Sequence, residues 1–228
     1  MKIITIVGAR PQFIKAAPFS ELYRKHDIEI LVHTGQHYDV FMSDIFFNEL
    51  NIPKPNYYLG IGSGTHGQQT GRMLEQIEKI IIKEKPDGVL VYGDTNSTLA
   101  GALAASKLHV PVFHVEAGLR SYNKYMPEEQ NRIITDHISD LLLCPTQTAV
   151  KNLAKEGITS GVIYTGDIMY DAVLRNINIA RGKYKNGVYL NELTNNKNKP
   201  ILLSKNYYLA TIHRAENTDN PKKLKDIF

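Results

Sequence analysis

Strand-like and helix-like segments alternate along most of this chain, and that alternation narrows the possible folds more than any other feature. Residues 2–7 are a short β-branched run, and residues 11–24 carry helical periodicity with Pro11 suited to a first helical turn. Residues 28–33 (IEILVH) read as a second strand, 39–49 as a second helix and 68–84 as a long amphipathic helix. Strand 88–92 (GVLVY), helix 95–108, strand 111–115 (PVFHV), helix 127–138, strand 140–144, helix 146–156, strand 161–165 and helix 168–182 complete the series. Repeated β-α steps of this kind predict a parallel sheet covered by helices on both faces. The apolar share of 43% suffices for a sizeable core and excludes a disordered or fibrous chain.

The pattern breaks at 183–200, KYKNGVYLNELTNNKNKP, a polar stretch rich in Asn and Lys that ends in Pro. It predicts a linker, 183–205, between a first domain at 1–182 and a new unit at 206–228, which opens with strand 206–212 (NYYLATI) and a helix from 219. One β-α pair cannot bury its own apolar faces, so a second α/β domain continuing beyond Phe228 is expected.

Lys plus Arg number 27 against 23 Asp plus Glu, a formal net charge of +4 spread along the chain. That balance suits anionic ligands in general but supplies no basic block of the kind that tracks a nucleic-acid backbone, so no nucleic-acid partner is expected. The single cysteine, Cys144, excludes an intrachain disulfide framework and a cysteine-cluster metal site. The apolar run in MKIITIVGAR is too short for a signal segment, and no segment approaches the ~18 apolar residues of a membrane span. The expectation is a soluble cytoplasmic protein without a membrane partner.

In open α/β sheets ligands bind beyond the carboxyl ends of the strands, so the residues following each strand are the candidates. They are Gly8-Ala9-Arg10-Pro11 with Lys15 one turn on, Thr34-Gly35-Gln36-His37, Gly93-Asp94-Thr95, Glu116-Ala117-Gly118-Leu119-Arg120, Gly166-Asp167, and His213-Arg214. Gly8 to Pro11 places a cation where the amides of a helix N-terminus already favour an anion, against the plainer reading of a glycine turn with a surface arginine. Asp94 and Thr95 could equally be helix N-caps. His114 and Glu116 are expected on one face of their strand by the two-residue repeat. Glu128 and Glu129 open a helix containing Asn131 and Arg132, where acidic residues ordinarily complement the helix dipole. Against those plainer readings, Asp94, Glu116 and the Glu128 pair are expected to face one crevice, and clustered carboxylates are common in acid/base sites.

Gly62-Ser63-Gly64-Thr65-His66-Gly67 matches G-x-G-x-x-G, yet it is not the first β-α turn, and the segment before it holds Pro53 and Pro55. A loop at the crevice rim is expected there, with no nicotinamide site. The histidines form no H-E-x-x-H pattern, so no metal is expected and no cofactor is implied.

Taken together, these motifs resemble the non-hydrolysing UDP-N-acetylglucosamine 2-epimerase family: GARPQFIKAAP at 8–18, HTGQHYD at 33–39, YGDTNST at 92–98, HVEAGLRS at 114–121, PEEQNR at 127–132, TGD at 165–167 and HRAEN at 213–217. They run in family order across nearly the whole chain. The resemblance implies two Rossmann-like domains in the GT-B arrangement with the active site between them, and a UDP-sugar as substrate. It implies inversion at carbon 2 by elimination of UDP, passage through a 2-acetamidoglucal and re-addition of UDP. It nominates Asp94, Glu116, Glu128 and His213 as catalytic, and Arg10, Lys15, Gln36, His37, Thr95, Arg120, Arg132, Asp167 and Arg214 as substrate-binding. A homodimer is expected of the full-length protein.

Three departures stand out. Ala9 and Gln12 replace the more usual Thr and Glu of G-T-R-P-E, Asp167 replaces the Asn of T-G-N, and Ala215 replaces an Arg of H-R-R-E-N. These variants resemble a branch that includes the 2-epimerase of UDP-2,3-diacetamido-2,3-dideoxy-glucuronate. The carboxylate of that sugar would want one more cation, for which Arg120, Lys124 and Arg132 are available. A GT-B glycosyltransferase and a non-catalytic nucleotide-sugar binding module are the other readings.

Overall fold

The computed structural model describes residues 1–36, 52–183, 193–195, 197–201, 208, 210–212 and 215–227. Two compact units divide the chain, Met1–Asn178 and Ile179–Phe228.

The first unit is built on a seven-stranded sheet in the order β3-β2-β1-β4-β5-β6-β7, with every pairing parallel. The strands are β1 Lys2–Val7, β2 Ile28–His33, β3 Tyr57–Tyr58, β4 Gly88–Tyr92, β5 Val112–Val115, β6 Leu141–Cys144 and β7 Val162–Tyr164. The described helices are α1 Arg10–Tyr23, α2 His66–Glu84, α3 Asn96–Lys107, α4 Pro127–His137, α5 Gln147–Lys155 and α6 Ile168–Lys183.

Residues of alternate parity on the strands feed two cores. Ile4, Ile6, Val32, Val89, Val91 and Val112 pack under α2 and α3, where Met73, Ile77 and the alanines of α3 lie. Ile3, Val7, Leu31, Leu90, Tyr92 and Val115 pack on the opposite face against Phe13, Ala16 and Ala17 of α1 and Ile168 of α6. Helices therefore cover both faces, as the β-α alternation predicts. Three of the helices start on a threonine whose hydroxyl accepts an N–H of the first turn: Thr65 from Gln68 (3.4 Å), Thr95 from Thr98 (3.3 Å) and Thr146 from Ala149 (3.1 Å).

The expected strands and helices are present to within a residue or two at their ends. Helix 39–49 lies outside the described residues. The sequence reading omits β3, because Pro53 and Pro55 mark its neighbourhood as poor strand; it is a two-residue strand at the sheet edge, a setting in which nearby prolines are tolerated.

In the second unit the described elements are a bridge between Thr194 and Pro200, α7 Ala215–Thr218 and α8 Pro221–Ile227. Asn220 opens α8, its side chain accepting from Lys222 N (3.0 Å) and Lys223 N (3.2 Å). The boundary between the units falls at Asn178, four residues before the end expected for the first domain. The strand expected at 206–212 lies largely outside the described residues, and Tyr208 and 210–212 belong to no strand.

Candidate active site

The strand order reverses between β1 and β4, and in open sheets that reversal opens the crevice where ligands sit. Two turns flank it. On the β1 side, Gly8 is confined by its neighbours: a Cβ there would lie 2.1 Å from Thr34 Oγ1 and 2.2 Å from Ser97 Oγ. Gln12 ties this turn to its counterpart. Its Oε1 accepts from Gly8 N (2.8 Å) and Ala9 N (3.0 Å), while its Nε2 donates to Tyr92 O (2.9 Å) at the end of β4. Arg10 stands exposed at the first position of α1.

Two half-buried carboxylates occupy the β4 and β5 mouths. Asp94 is ion-paired with Arg132 of α4, and its carbonyl accepts from Asn131 Nδ2 (3.0 Å). Glu116 is ion-paired with Lys15 of α1. The turn at Gly93 lies against that second pair: a Cβ there would be 3.3 Å from Glu116 Oε2 and 3.7 Å from Lys15 Nζ. Crowding carboxylates would cost stability through mutual repulsion; here each has its own cation, which offsets that cost.

One geometric expectation is overturned. His114 and Glu116 do not share a face. β5 ends at Val115, and Glu116 takes a left-handed backbone with φ 72°. The two-residue alternation stops at the strand end, so the Glu116 side chain turns to Lys15 on the α1 side while His114 points under α4.

Helix α4 indexes the whole mouth, because residues three, four and seven apart share a helix face. Glu129 is buried and accepts from Ser121 N (3.1 Å) and Tyr122 N (2.8 Å) of the loop after β5. Arg132 bridges Glu129 (2.7 Å) to Asp94. Asp136 accepts from His114 Nδ1 (2.7 Å), Gly118 N (3.1 Å) and Arg120 NH1 (2.7 Å). Arg120 also grips Glu156, just past the end of α5, through two bonds of 2.7 Å. Burial alone would raise the carboxyl pKa values of Asp136 and Glu129. The hydrogen bonds and charge of His114 and Arg120 reverse this for Asp136, and the Ser121 and Tyr122 amides and Arg132 reverse it for Glu129, so both are lowered. Glu156 is lowered as well, first by its hydrogen bond from Arg120. Burial disfavours the charge on Arg120, but its two carboxylates outweigh that and raise its pKa.

The structure thus brings Arg10, Lys15, Asp94, Thr95, Glu116 and Arg132 to the two sides of one crevice, with several already engaged. Thr95 is the N-cap of α3, and Gln36 turns inward, its Oε1 accepting from Ser97 N (3.0 Å) and Ser97 Oγ (2.7 Å). The Arg120 side chain is 1% exposed and engaged by Asp136, Glu156 and the Leu119 carbonyl. Glu128 is exposed at the start of α4, the buried member of that pair being Glu129. Asp167 is exposed and accepts from Met169 N (2.9 Å) at the start of α6. His37, His213 and Arg214 lie outside the described residues. Gln12, Asn131, Glu129, Asp136 and Glu156 were not foreseen in these roles. A signal was available: polar residues recur on α4 at the spacing a sheet-packed helix normally fills with apolar ones. Of the stretch expected as a loop, 62–65 leads into α2 and His66-Gly67 opens that helix; it is largely exposed, yet His66 Nδ1 lies 3.1 Å from Asn96 Nδ2, which ties it to the α3 start. Among the described residues no group of three or more His, Cys, Asp or Glu could hold a metal ion, and no helix is long and apolar enough to cross a membrane.

A parallel sheet in this order, with charged, glycine-bearing turns at its switch point, defines an α/β domain of the Rossmann type. The sequence narrows the class further: residues 20–228 match the profile described as UDP-N-acetylglucosamine 2-epimerase, and the chain belongs to that family. It is 59% identical over 227 residues to a UDP-N-acetylglucosamine 2-epimerase homolog of Methanococcus maripaludis, covering 100% of this chain and 61% of that protein. It is 54% identical over 234 residues to the UDP-2,3-diacetamido-2,3-dideoxy-D-glucuronate 2-epimerase of Pseudomonas aeruginosa, again covering 100% and 61%. Among solved structures, it resembles the Methanocaldococcus jannaschii UDP-GlcNAc 2-epimerase in complex with UDP-GlcNAc and UDP, with a TM-score of 0.86 at 49% identity over 100% of this chain and 60% of that one. The chain thus spans about three fifths of the length of these relatives.

Proposed function

We propose that this chain supplies the N-terminal half of a sugar-nucleotide 2-epimerase that interconverts UDP-N-acetylglucosamine and UDP-N-acetylmannosamine. The carrying observation is the pair of ion-paired carboxylates, Asp94 and Glu116, on the switch-point crevice of a chain of this family. The proton on carbon 2 is not acidic in the intact sugar. Breaking the bond from carbon 1 to the UDP oxygen, with the electron pair leaving on UDP, makes an oxocarbenium-like centre that acidifies it. A carboxylate takes the proton and the 2-acetamidoglucal forms. An acid returns a proton to carbon 2 on the other face, and UDP re-adds at carbon 1. Two faces require more than one acid/base group, for which Asp94, Glu116 and Glu128 are the candidates and His213 a further one. Arg10 and Lys15 would handle the diphosphate. No oxidation step, and hence no nicotinamide, is needed.

The remaining parts of the site are assigned to a C-terminal domain in the GT-B arrangement, joined through the linker at 183–205, and the working enzyme to a cytoplasmic homodimer. Sedimentation of the extended protein tests the dimer. The test of the reaction uses this chain joined to the C-terminal portion that its relatives carry, incubated with UDP-N-acetylglucosamine in heavy water without nicotinamide. The expected product is the mannosamine epimer carrying deuterium at carbon 2. Retention of the original hydrogen would overturn elimination, and absence of any epimer would overturn the function. This 228-residue chain alone is expected to bind UDP weakly and turn over poorly, since closing two walls excludes water from the glycal.

The 54% identity to the P. aeruginosa enzyme favours a second reading, the diacetamido-glucuronate as substrate. Of the three cations available for its carboxylate, Arg120 and Arg132 are taken by Asp136, Glu156, Asp94 and Glu129, while Lys124 is exposed. Competition between the two sugars in one assay separates the readings.

A further inference from the structure

We propose that His114 and Asp136 form a buried clamp that holds the Asp94 turn and the Glu116 turn in register with each other. What that register serves rests on the epimerase reading; the clamp itself rests on the following geometry. His114 lies in the middle of β5, fully buried, with Val91 and Leu142 as its neighbours in the sheet. Its Nε2 is 2.7 Å from Gly93 O, the carbonyl just before Asp94. A carbonyl can only accept, so Nε2 donates. Its Nδ1 is 2.7 Å from Asp136 Oδ1, and the other oxygen of Asp136 accepts from Gly118 N at 3.1 Å, two residues past Glu116. One imidazole and one carboxylate therefore connect the backbones on which both candidate acid/base groups sit.

Those backbones need holding. Gly93 (φ 64°), Glu116 (φ 72°) and Gly118 (φ 79°) are all left-handed. Glycine adopts that conformation freely, whereas Glu116 does so only where its surroundings over-determine it. The surroundings are explicit: Leu143 O accepts both Glu116 N (3.0 Å) and Ala117 N (3.2 Å), Asp136 takes Gly118 N, and Asn152 Nδ2 donates to Gly118 O (3.0 Å). Arg132, which pairs with Asp94, stands one helical turn before Asp136 on α4. Asp94 is thus held from both ends, through its side chain by Arg132 and through the preceding carbonyl by His114. A buried ionic pair is weak grounds for a stabilising role, because an apolar pair of similar volume often does as well. Bonds that end on the backbones of two crevice turns point instead to positioning. Neither His114 nor Asp136 is exposed, so each acts through the turns and touches no substrate.

The test compares His114→Leu, Asp136→Ala and Asp136→Asn in the extended protein. The asparagine keeps an acceptor for Gly118 N and Arg120, and its amide can donate to His114 Nδ1 once that nitrogen has given up its proton, with Nε2–H still holding Gly93 O. For His114→Leu and Asp136→Ala, kcat should fall about 10²-fold, the scale of a misplacement near 1 Å, while KM and UDP affinity stay within about twofold. Asp136→Asn should recover about tenfold of that loss over Asp136→Ala. An activity-independent reading accompanies it: amide exchange at Glu116, Ala117 and Gly118 should accelerate in Asp136→Ala while exchange in β1 and β2 does not. Loss of kcat and UDP affinity together, turnover near wild type in both disruptive variants, no recovery by the asparagine, or unchanged exchange at 116–118 would each overturn the clamp. If Asp136→Ala does not fold, His114→Leu carries the comparison, with exchange read instead at Gly93, Asp94 and Thr95, the turn whose carbonyl loses its donor, since leucine keeps the core filled. A wild-type protein that makes no epimer would instead overturn the functional reading, and the exchange result would still decide the clamp.

Discussion

Glu29 and Asp136 are both fully buried carboxylates gripped by an arginine, yet they hold different things. Glu29, near the start of β2, accepts from Thr5 Oγ1 (2.6 Å), Ser20 Oγ (2.9 Å) and Arg24 Nε (2.6 Å). Every one of those partners is a side chain in the body of β1 or in and just after α1, and none belongs to a turn at the crevice. Asp136 accepts from a backbone N–H in the β5 turn and from an imidazole that grips the β4 turn. The contrast teaches that a buried charge does not mark a functional region by itself; the atoms on which its bonds end do. Glu29 staples α1 to the sheet, while Asp136 indexes two loops against each other.

The largest effects should come from the groups that Asp136 indexes. Asp94→Asn and Glu116→Gln are each expected to lower turnover of the extended protein by about 10²–10⁴ while leaving the circular dichroism of the fold intact. Wild-type turnover in both would show that the crevice of this domain is not where the proton moves. Glu29→Ala should act on stability instead. Three donors lose their acceptor at once, and the expected cost is about 2–3 kcal/mol in urea unfolding, with turnover per folded molecule unchanged. Turnover loss in Glu29→Ala comparable to that in Asp136→Ala would erase the distinction between the two clusters.

Acid gives a second reading of the Asp136 cluster. Asp136, Glu129 and Glu156 all have lowered carboxyl pKa values in the folded chain. Groups lowered in this way contribute stability that is complete above their unfolded values, about 4, and is lost as pH falls through the folded ones. The share of the unfolding free energy that these three groups contribute should therefore hold between about pH 7 and 5 and fall below about pH 4. Asp136→Asn should shallow that fall by removing one of the three groups. An acid limb equally steep in that variant would show that the Asp136 cluster is not what acid dismantles.

Much of this is legible in the amino-acid sequence alone. The β-α alternation predicts the layers, and the strand-end rule collects Arg10, Lys15, Asp94 and Glu116 at one edge, because both depend on short-range periodicity and on one general property of parallel sheets. Strand ends were harder. Glu116 lies one residue past β5, where a left-handed turn replaces alternation, and no two-residue repeat foretells that. Asp136 was harder still. Its partners come from β5, from the turn after it and from Arg120, and such long-range pairing is set by packing rather than by spacing. The commitment of Arg120 and Arg132 to internal carboxylates was invisible for the same reason. In a sequence, an arginine beside a motif looks equally available to a ligand and to a neighbour.

The smallest effect gives the most local reading of the Asp136 charge. Cys144, buried at the end of β6, has its thiol pushed up to about 11, first by burial, then by the negative charge of Asp136, with Arg120 acting in the opposite direction. Asp136→Asn keeps the volume and the burial but removes the charge. The thiol value should therefore fall, though only part of the way, because the larger cause remains. Glu29→Gln removes an equally buried charge elsewhere and should leave Cys144 where it is. The measurement is the Cβ chemical shift of Cys144 against pH in the three proteins, which follows this thiol apart from the tyrosines that titrate in the same range. A downward shift confined to Asp136→Asn would show an ionised Asp136 acting on the floor of the β5–β6 region. An equal shift in Glu29→Gln, or none in either, would show that the Cys144 environment does not register that charge, and that the ionic description of the Asp136 cluster fails even if its hydrogen bonds stand.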